Sequence, residues 1–272
     1  MMNTQSFSSK CIAVCGMGNM GRWIASALEA LDTPLILFDV DSNQLQKVKC
    51  LDAGKHTHHY TSDIRELSRA DHILETIPEN LELKIEFYRR IDALMHPTAI
   101  VTSNTSIFDP RDFLRGFSRP NRFSCFHFYT PRTIVDIMPL PETDADVVDY
   151  LKALAEKMGE EPFILQAIKP GYVFSSLAGA LTDNALTLVI EQVSPPADID
   201  HAWKKITGMA VGPLGMLDRV GLDTSLHIRR ARLAKDPNDA KLRAQISLLE
   251  EYVAKGYLGV KSGRGFHQYG SP

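Results

Sequence analysis

The chain has 272 residues, of which 44% are hydrophobic and 23% charged, with a formal net charge of −3 and a pI near 6.3. These values are typical of a globular protein with a proper apolar core, and they give no reason to expect a nucleic-acid or anionic-membrane partner. No apolar run approaches the roughly 18 residues of a membrane span, and we expect no secretory segment in the polar first ten residues. The four cysteines show neither CxxC nor zinc-ligand spacing, which predicts reduced thiols in a cytoplasmic protein.

The first structural signal is a strand, a glycine turn and a helix. The apolar residues Ile12–Cys15 run into Gly16-x-Gly18-x-x-Gly21, and helix-forming residues follow. In a dinucleotide site the first glycine permits the turn, the second lets the backbone approach a pyrophosphate, and the third lets the helix pack closely on the strand. The pyrophosphate binds the N–H groups at the helix N-terminus. A glycine-rich structural turn is the alternative. The predicted cofactor contacts here are Gly16, Gly18, Asn19, Met20 and Gly21.

An acidic residue follows the second predicted strand. Pro34–Asp39 is an apolar run that ends in a carboxylate, and Asp39 follows Gly21 at an offset close to the roughly 20 residues expected for the acid that binds the adenosine ribose. A carboxylate there repels a 2′-phosphate, so Asp39 favours NAD over NADP. The alternative is that Asp39 only caps the next helix.

Further strands and helices alternate along the next hundred residues. Residues 43–70 predict two short helices joined by a turn, and the histidine-containing stretch 54–59 is interpreted as a polar loop, not a metal site. The predicted strands are Asp71–Pro78, Ala99–Ser103, Arg122–Phe128 and Ile134–Met138, with a helix over Leu81–Leu94. Such alternation predicts a largely parallel sheet with right-handed crossovers.

Polar residues follow several of these strands. Gly16, Asp39, Thr76–Glu79, Ser103–Ser106 and His127 all fall at predicted strand ends. Ligands of parallel α/β sheets bind at the carboxyl ends of the strands. The sequence therefore predicts one site at this edge, with Thr76 among the cofactor contacts.

The pattern changes after Asp146. A helix over Val147–Met158 and a short apolar run, Pro162–Gln166, lead to the breaker residues Lys169–Gly171. A long apolar helix over Val173–Gln192, a helix over Ala197–Ile206 and two further helical segments ending near Lys255 follow. We therefore predict an α/β fold with an N-terminal Rossmann domain, residues 1–168, built on a mostly parallel sheet. An all-helical C-terminal domain, residues 169–272, is predicted for substrate binding and dimerisation.

Several ordered segments resemble the 3-hydroxyacyl-CoA dehydrogenase family, including its L-gulonate dehydrogenase and λ-crystallin branch. The resemblance extends over residues 12–269. It rests on Gly16–Gly21, Glu79–Lys84, Ser103–Ser106, His127–Pro131, Lys169–Tyr172, Gly212–Asp223 and Lys261–Phe266. It implies a Rossmann fold, NAD as cofactor and a homodimer formed through the helical domain.

The resemblance also implies roles for matching positions. Glu79 and Lys84 match residues near the nicotinamide and its ribose, whereas Asn104 and Ser106 match the loop that contacts the nicotinamide side and the substrate hydroxyl. His127 matches the catalytic histidine. An imidazole with a pKa near 6.5 is a suitable base for removing a hydroxyl proton near neutral pH. The alternatives are a structural histidine at a strand end and, for Ser106, a helix cap.

The sequence also departs from the family pattern. The glutamate that orients the family's histidine is replaced by Asp136, one methylene shorter, for which a surface aspartate is the alternative. Ser175 replaces an asparagine of the substrate pocket. The stretch between Asp39 and Asp71 lacks the long helical hairpin that helps to grip CoA, which argues against an ordinary fatty acyl-CoA. Arg132 is a candidate partner for a substrate carboxylate, with a solvated arginine as the alternative.

We therefore predict an NAD-dependent dehydrogenase that interconverts a hydroxyl and a carbonyl β to a carboxyl or thioester group, with His127, Asp136 and Ser106 as catalytic residues and no metal. A free hydroxy acid, a hydroxymethyl aromatic acid or a carrier-protein thioester is the alternative substrate. The related β-hydroxyacid dehydrogenases use a catalytic lysine, for which Lys204 and Lys205 are poorly placed. A non-catalytic, crystallin-like NAD-binding protein is the remaining alternative.

Overall fold

A computed structural model describes residues 10–51, 58–129 and 134–270. These residues form two compact units, the first ending at Tyr172 and the second beginning at Val173. The sequence places the domain boundary a few residues earlier, between residues 168 and 169, and that boundary stays a prediction.

The first unit alternates strands and helices. Its strands are β1 (Ile12–Cys15), β2 (Leu35–Phe38), β3 (His59–Thr61), β4 (His72–Glu75), β5 (Ile100–Ser103), β6 (Phe123–Phe128), β7 (Ile134–Pro139) and β8 (Glu161–Ile164). Its α-helices are α1 (Asn19–Glu29), α2 (Ser42–Leu51), α3 (Leu81–Asp92), α4 (Pro110–Phe113) and α5 (Ala145–Lys157). Short 3₁₀ helices cover Ile64–Arg69 and Pro120–Arg122.

The eight strands form one sheet in the order β3-β2-β1-β4-β5-β6-β7-β8. All neighbouring strands are parallel except β6 and β7, which pair antiparallel. Alternate residues of β1 enter opposite cores: Ile12 and Val14 pack on the α1 and α5 side, and Ala13 and Cys15 on the α3 side. This is the predicted α/β fold, and its strands β1, β2, β4 and β5 are buried on both faces.

Two strands were not predicted. Strand β8 overlaps Pro162–Gln166, for which the sequence indicates only a short apolar run, and β3 falls where the sequence indicates helices. Residues 43–70 hold α2, β3 and a 3₁₀ helix, where the sequence indicates two helices and a turn. The three residues of β3 are only half-buried and carry no apolar alternation. Their extended conformation comes from pairing with Ile36–Phe38 of β2, which no local pattern reveals. The predicted loop 54–59 lies mostly outside the described residues.

The second unit is helical. It contains α6 (Tyr172–Ile190, whose first residue belongs to the first unit), α7 (Pro196–Thr207), α8 (Pro213–Val220), α9 (Leu222–Lys235), α10 (Ala240–Ala254) and a 3₁₀ helix over Val260–Ser262. Three helices thus follow α7, where the sequence predicts two. Gly221, with φ of +98°, separates α8 from α9 because a left-handed residue cannot continue a helix. The core contains Leu186, Leu214 and Leu249.

Helix α6 corrects the expectation that no apolar run approaches the length of a membrane span. The helix has 19 residues, and an 18-residue stretch of it has a mean hydropathy of 1.4, so by length and composition it is long and apolar enough to cross a membrane. Polar residues such as Thr182, Asp183 and Asn184 interrupt the apolar run, which is why the sequence did not suggest it. Core helices of globular proteins pass the same test.

Candidate active site

The turn between β1 and α1 has the shape that a backbone-bound phosphate needs. Gly16 has φ of +99°, and a Cβ there would lie 2.8 Å from the carbonyl oxygen of Thr76. A Cβ on Gly21 would lie directly against the carbonyl oxygen of Gly16, whereas one on Gly18 would meet nothing within 4 Å. The turn therefore excludes side chains where strand and helix meet and is open at the middle glycine, which fits the pyrophosphate of NAD.

Asp39 lies beside this turn. Its Oδ2 accepts a hydrogen bond from the Met17 N–H at 2.7 Å, and its Oδ1 accepts one from the Asp41 N–H at 2.9 Å. Each carboxylate oxygen has a second lone pair, so the group can still accept hydrogen bonds from a ribose diol. The turn and the carboxylate thus form one unit suited to the adenosine half of NAD.

Thr76 and Asn19, two other predicted cofactor contacts, form hydrogen bonds with residues of the glycine turn and of α1. The Thr76 hydroxyl lies 3.0 Å from the Cys15 carbonyl oxygen and 2.7 Å from that of Gly16, so it braces the turn. Asn19 and Met20 begin α1, where the Asn19 side chain accepts a hydrogen bond from Arg22. The Thr76 hydroxyl therefore supports the glycine turn, and its role as a cofactor contact stays a prediction.

Glu75 is a fully buried carboxylate under the predicted site, and sequence reasoning missed it. Its Oε1 accepts hydrogen bonds from Lys84 Nζ at 2.7 Å and the Ile77 N–H at 2.8 Å. Its Oε2 accepts from Ser103 Oγ at 2.7 Å and the Tyr88 hydroxyl at 3.0 Å. A charge without water needs this many donors. The available signal was an acidic residue at the end of an apolar strand, with a lysine on the next helix.

Glu79 connects the two loops above Glu75. Its carboxylate accepts hydrogen bonds from the Thr105 hydroxyl at 2.9 Å and from the Ser106 N–H, and it lies 3.6 Å from Lys84 Nζ. The Lys84 side chain is 1% exposed and faces these two carboxylates. Lys84 therefore acts on the site through Glu75 and Glu79, while Glu79 itself remains about one-third exposed.

Asn104 braces the loop after β5. Its Oδ1 accepts a hydrogen bond from the Phe128 N–H at 3.0 Å, and its own N–H donates to the Glu75 carbonyl oxygen at 2.8 Å. The loop that carries Ser106 is thereby tied to the ends of both β4 and β6.

The sheet places His127 and Asp136 directly opposite each other. They are partners in the antiparallel β6–β7 pair, and both are buried. His127 Nδ1 lies 3.9 Å from Asp136 Oδ2, beyond hydrogen-bond distance. Among the described residues, Nδ1 has no hydrogen-bond partner. Asp136 is therefore not a surface aspartate but the carboxylate that faces this imidazole.

The other ring nitrogen of His127 faces Ser106. Nε2 lies 3.2 Å from Ser106 Oγ, within hydrogen-bond distance. Burial lowers the pKa of His127 to about 4, so the imidazole is neutral at pH 7. Burial raises the pKa of Asp136, and a hydrogen bond from the Tyr129 hydroxyl opposes that rise. A neutral imidazole beside a hydroxyl is the arrangement that a general base requires.

Two tyrosines surround His127, and neither was singled out from the sequence. The Tyr172 ring stacks on the imidazole with centroids 4.4 Å apart and planes at 14°, and its hydroxyl donates to the Thr105 carbonyl oxygen at 2.7 Å. The Tyr129 ring packs edge-on at 4.7 Å. Tyr172 belongs to the Lys169–Tyr172 segment that carries the family resemblance, which was the available signal.

Two predicted substrate contacts, Arg132 and Ser175, stay predictions. Arg132 lies outside the described residues. Ser175 is exposed on α6, in the second unit. In the described part of the chain, no cluster of histidine, cysteine, aspartate or glutamate is arranged to hold a metal ion.

Comparison with protein families gives two matches. Residues 51–168 match the NAD-binding domain of 3-hydroxyacyl-CoA dehydrogenase, and residues 171–269 match the C-terminal domain of the same family. A probable 3-hydroxybutyryl-CoA dehydrogenase of Bacillus subtilis is 32% identical over 283 residues, covering 96% of this chain and 97% of its own. A 5-formyl-3-hydroxy-2-methylpyridine 4-carboxylate 5-dehydrogenase of Mesorhizobium japonicum is 28% identical, covering 95% and 90%.

Solved structures of a dehydrogenase and a reductase are similar to this chain over nearly its whole length. A diketoreductase, described as catalysing reactions of dicarbonyl compounds, superposes with a TM-score of 0.87 at 27% identity and covers 96% of this chain and 99% of its own. The (S)-3-hydroxybutyryl-CoA dehydrogenase of Ralstonia eutropha superposes with a TM-score of 0.83 at 26% identity and the same coverage.

Proposed function

Because the chain belongs to the 3-hydroxyacyl-CoA dehydrogenase family and is an NAD-dependent dehydrogenase acting on CH–OH groups, we propose that His127 is its acid/base catalyst, with Ser106 as the partner of the substrate oxygen. One observation carries this proposal: His127 Nε2 lies 3.2 Å from Ser106 Oγ in a buried setting that keeps the imidazole neutral. A substrate hydroxyl that contacts both atoms has an acceptor for its proton and a donor for its oxygen.

The chemistry is a paired loss of a proton and a hydride. When bound, NAD accepts the hydride from the carbinol carbon. His127 Nε2 takes the hydroxyl proton as the carbonyl forms, and it returns that proton in the reverse reaction. The Asp136 carboxylate stabilises the imidazolium, as a nearby opposite charge does. The glycine turn and Asp39 hold the dinucleotide, and Asp39 disfavours NADP.

The substrate that the relatives support is a short 3-hydroxyacyl-CoA. Two of the similar proteins act, by name, on 3-hydroxybutyryl-CoA, and the chain covers nearly the whole length of each. Their hydroxyl lies β to a thioester carbonyl, the position that we propose for the substrate of this enzyme.

A free hydroxy acid is the second candidate. The described part of the stretch between Asp39 and Asp71 holds α2, β3 and a 3₁₀ helix, not a helical hairpin that would help to grip CoA. One relative of this family is named for a free pyridine carboxylate. In this version Arg132 pairs with the substrate carboxylate and Ser175 lines the pocket.

A substrate panel separates these candidates. NADH formation is followed with 3-hydroxybutyryl-CoA, free 3-hydroxybutyrate, L-gulonate and hydroxymethyl aromatic acids, and the reactions are repeated with NADP. We expect turnover of the CoA ester with NAD and much less with NADP. Turnover of a free acid alone selects the second candidate. Silence on the whole panel with NAD binding intact contradicts both and favours a non-catalytic, crystallin-like protein.

The proposal predicts an unusual pH dependence. A base must be unprotonated to accept the hydroxyl proton, and burial lowers the pKa of His127 from 6.5 to about 4. We therefore expect kcat/KM for alcohol oxidation to stay level from about pH 8 to about pH 5 and to fall only at lower pH, because kcat/KM reports ionisations of the free enzyme. A fall centred on pH 6.5 would show that His127 is not desolvated or not the base.

We also propose that the protein is a cytoplasmic homodimer. Apolar side chains are exposed in the helical unit, among them Phe174, Leu177 and Ile206, at 62%, 68% and 85%. Exposed apolar surface of this kind supports subunit contact through the helical domain. All four cysteines are free, which supports a reducing compartment.

A further inference from the structure

We propose that Tyr129 is a positioning residue for the catalytic pair: its hydroxyl holds the Asp136 carboxylate where it can receive the imidazolium of His127. This inference rests on the proposed role of His127 as the acid/base catalyst. It assigns a third member, contributed by the residue just after β6, to what is otherwise a pair of histidine and carboxylate.

The first observation is that Tyr129 contacts both members. Its hydroxyl donates a hydrogen bond to Asp136 Oδ2, the same oxygen that lies 3.9 Å from His127 Nδ1. Its ring packs edge-on against the imidazole, with centroids 4.7 Å apart and planes at 88°. One side chain therefore sets the position of the carboxylate and limits the tilt of the imidazole.

The second observation is that the carboxylate is too far away to hold itself in place. A direct hydrogen bond to Nδ1 needs about 2.8–3.0 Å, and the gap is 3.9 Å. In the described part of the chain Nδ1 is buried without a partner, so nothing on the imidazole side fixes Asp136 before the reaction. The Tyr129 hydroxyl supplies that anchor from the other side.

The third observation concerns charge. Burial raises the pKa of Asp136, and the Tyr129 hydrogen bond acts in the opposite direction because it favours the ionised form. Among the described residues, the ionisable groups that face Asp136 are His127 across the β6–β7 pair, Tyr129 and Tyr172. Tyr129 is the one whose hydroxyl donates to the carboxylate. It thus keeps a negative charge available at the moment when His127 becomes positive.

The test is a double-mutant cycle on the full-length enzyme. Tyr129→Phe keeps the ring and removes the hydroxyl, and we expect kcat to fall about tenfold with KM and NADH affinity unchanged within about twofold. Asp136→Asn should lower kcat further, and adding Tyr129→Phe to it should change kcat by less than about twofold, since the hydroxyl then has no carboxylate to hold. Independent, multiplying losses would overturn the proposal.

Tyr269→Phe is the matched control. It also removes a tyrosine hydroxyl that donates to a buried aspartate, Asp218 Oδ2 at 2.9 Å, but in the helical unit. We expect its kcat to stay within about twofold of wild type. An equal loss in Tyr129→Phe and Tyr269→Phe would indicate a general structural effect and overturn the proposal.

Asp136→Glu provides a rescue. Asp136 Oδ2 lies 3.9 Å from His127 Nδ1, about 1 Å too far for a hydrogen bond. The added methylene of glutamate is long enough to close this gap, so its carboxylate can accept a hydrogen bond from the imidazole directly. In that background Tyr129→Phe should cost less than about threefold in kcat, and a full tenfold loss would contradict the anchoring role.

If His127→Gln proves fully active, the proposed function itself fails. If His127→Gln is inactive but Tyr129→Phe matches wild type, only this inference fails.

Discussion

Replacing His127 with glutamine is expected to lower kcat by about 10²–10⁴-fold, the usual contribution of a general acid/base. Glutamine can keep a hydrogen bond to Ser106 Oγ, which lies 3.2 Å from His127 Nε2, but it cannot take the hydroxyl proton. The glycine turn and Asp39 are untouched, so NADH affinity should stay within about twofold of wild type. Steady-state kinetics and NADH fluorescence titration measure the two quantities separately.

His96→Gln is the control for this change. His96 is exposed, and among the described residues its side chain forms hydrogen bonds only with the neighbouring Thr98, so its replacement should leave kcat unchanged. Full turnover by His127→Gln would remove His127 from the mechanism. A parallel loss of NADH binding would instead indicate that the histidine supports the cofactor site.

Replacing Glu75 with glutamine is expected to lower the free energy of unfolding by about 3–5 kcal/mol, because it leaves the buried Lys84 ammonium without its closest carboxylate. Lys84 then keeps only Glu79, which lies 3.6 Å away and is partly exposed. The amide also donates where the carboxylate only accepted, so the bonds from Ser103 and Tyr88 are disturbed. Chemical denaturation followed by fluorescence measures the loss.

Glu86→Gln on the same helix is the matched control. Glu86 pairs with Arg89, and both side chains are more than half exposed, so we expect a change within about 0.5 kcal/mol. A Glu75→Gln loss no larger than that of Glu86→Gln would show that the buried pair contributes little. Because Glu75 lies under the loops that carry Glu79 and Ser106, the surviving folded fraction should also show a lower kcat.

The fold could be anticipated because its signals are local. The signals are apolar runs of strand length, glycines at a turn and helical spacing, and each is a property of a short segment. They predicted most of the strands and helices of the first unit, among them β1, α1, β2, β4 and α3. The failures occurred where local signals are weak. Strand β3 exists because β2 offers it an edge, and the break between α8 and α9 depends on the backbone conformation of Gly221.

The sequence predicted some residues of the site and missed others. His127, Asp136, Ser106, Glu79 and Asn104 were named from the resemblance, and the structure brings them together at one edge of the sheet, although their roles remain predictions. Glu75 was missed because a single acidic residue on a strand gives no indication of its four donors.

The sequence by itself therefore determined the α/β class, the glycine turn between β1 and α1, and the family, because these depend on residue types at fixed local spacing. Only the tertiary structure decided that Asp136 faces His127 across an antiparallel pair, that Tyr172 stacks on the imidazole, and that Tyr129 bonds the carboxylate. These contacts join residues on different elements, and their distances are set by strand register and packing, which no segment of the chain specifies alone.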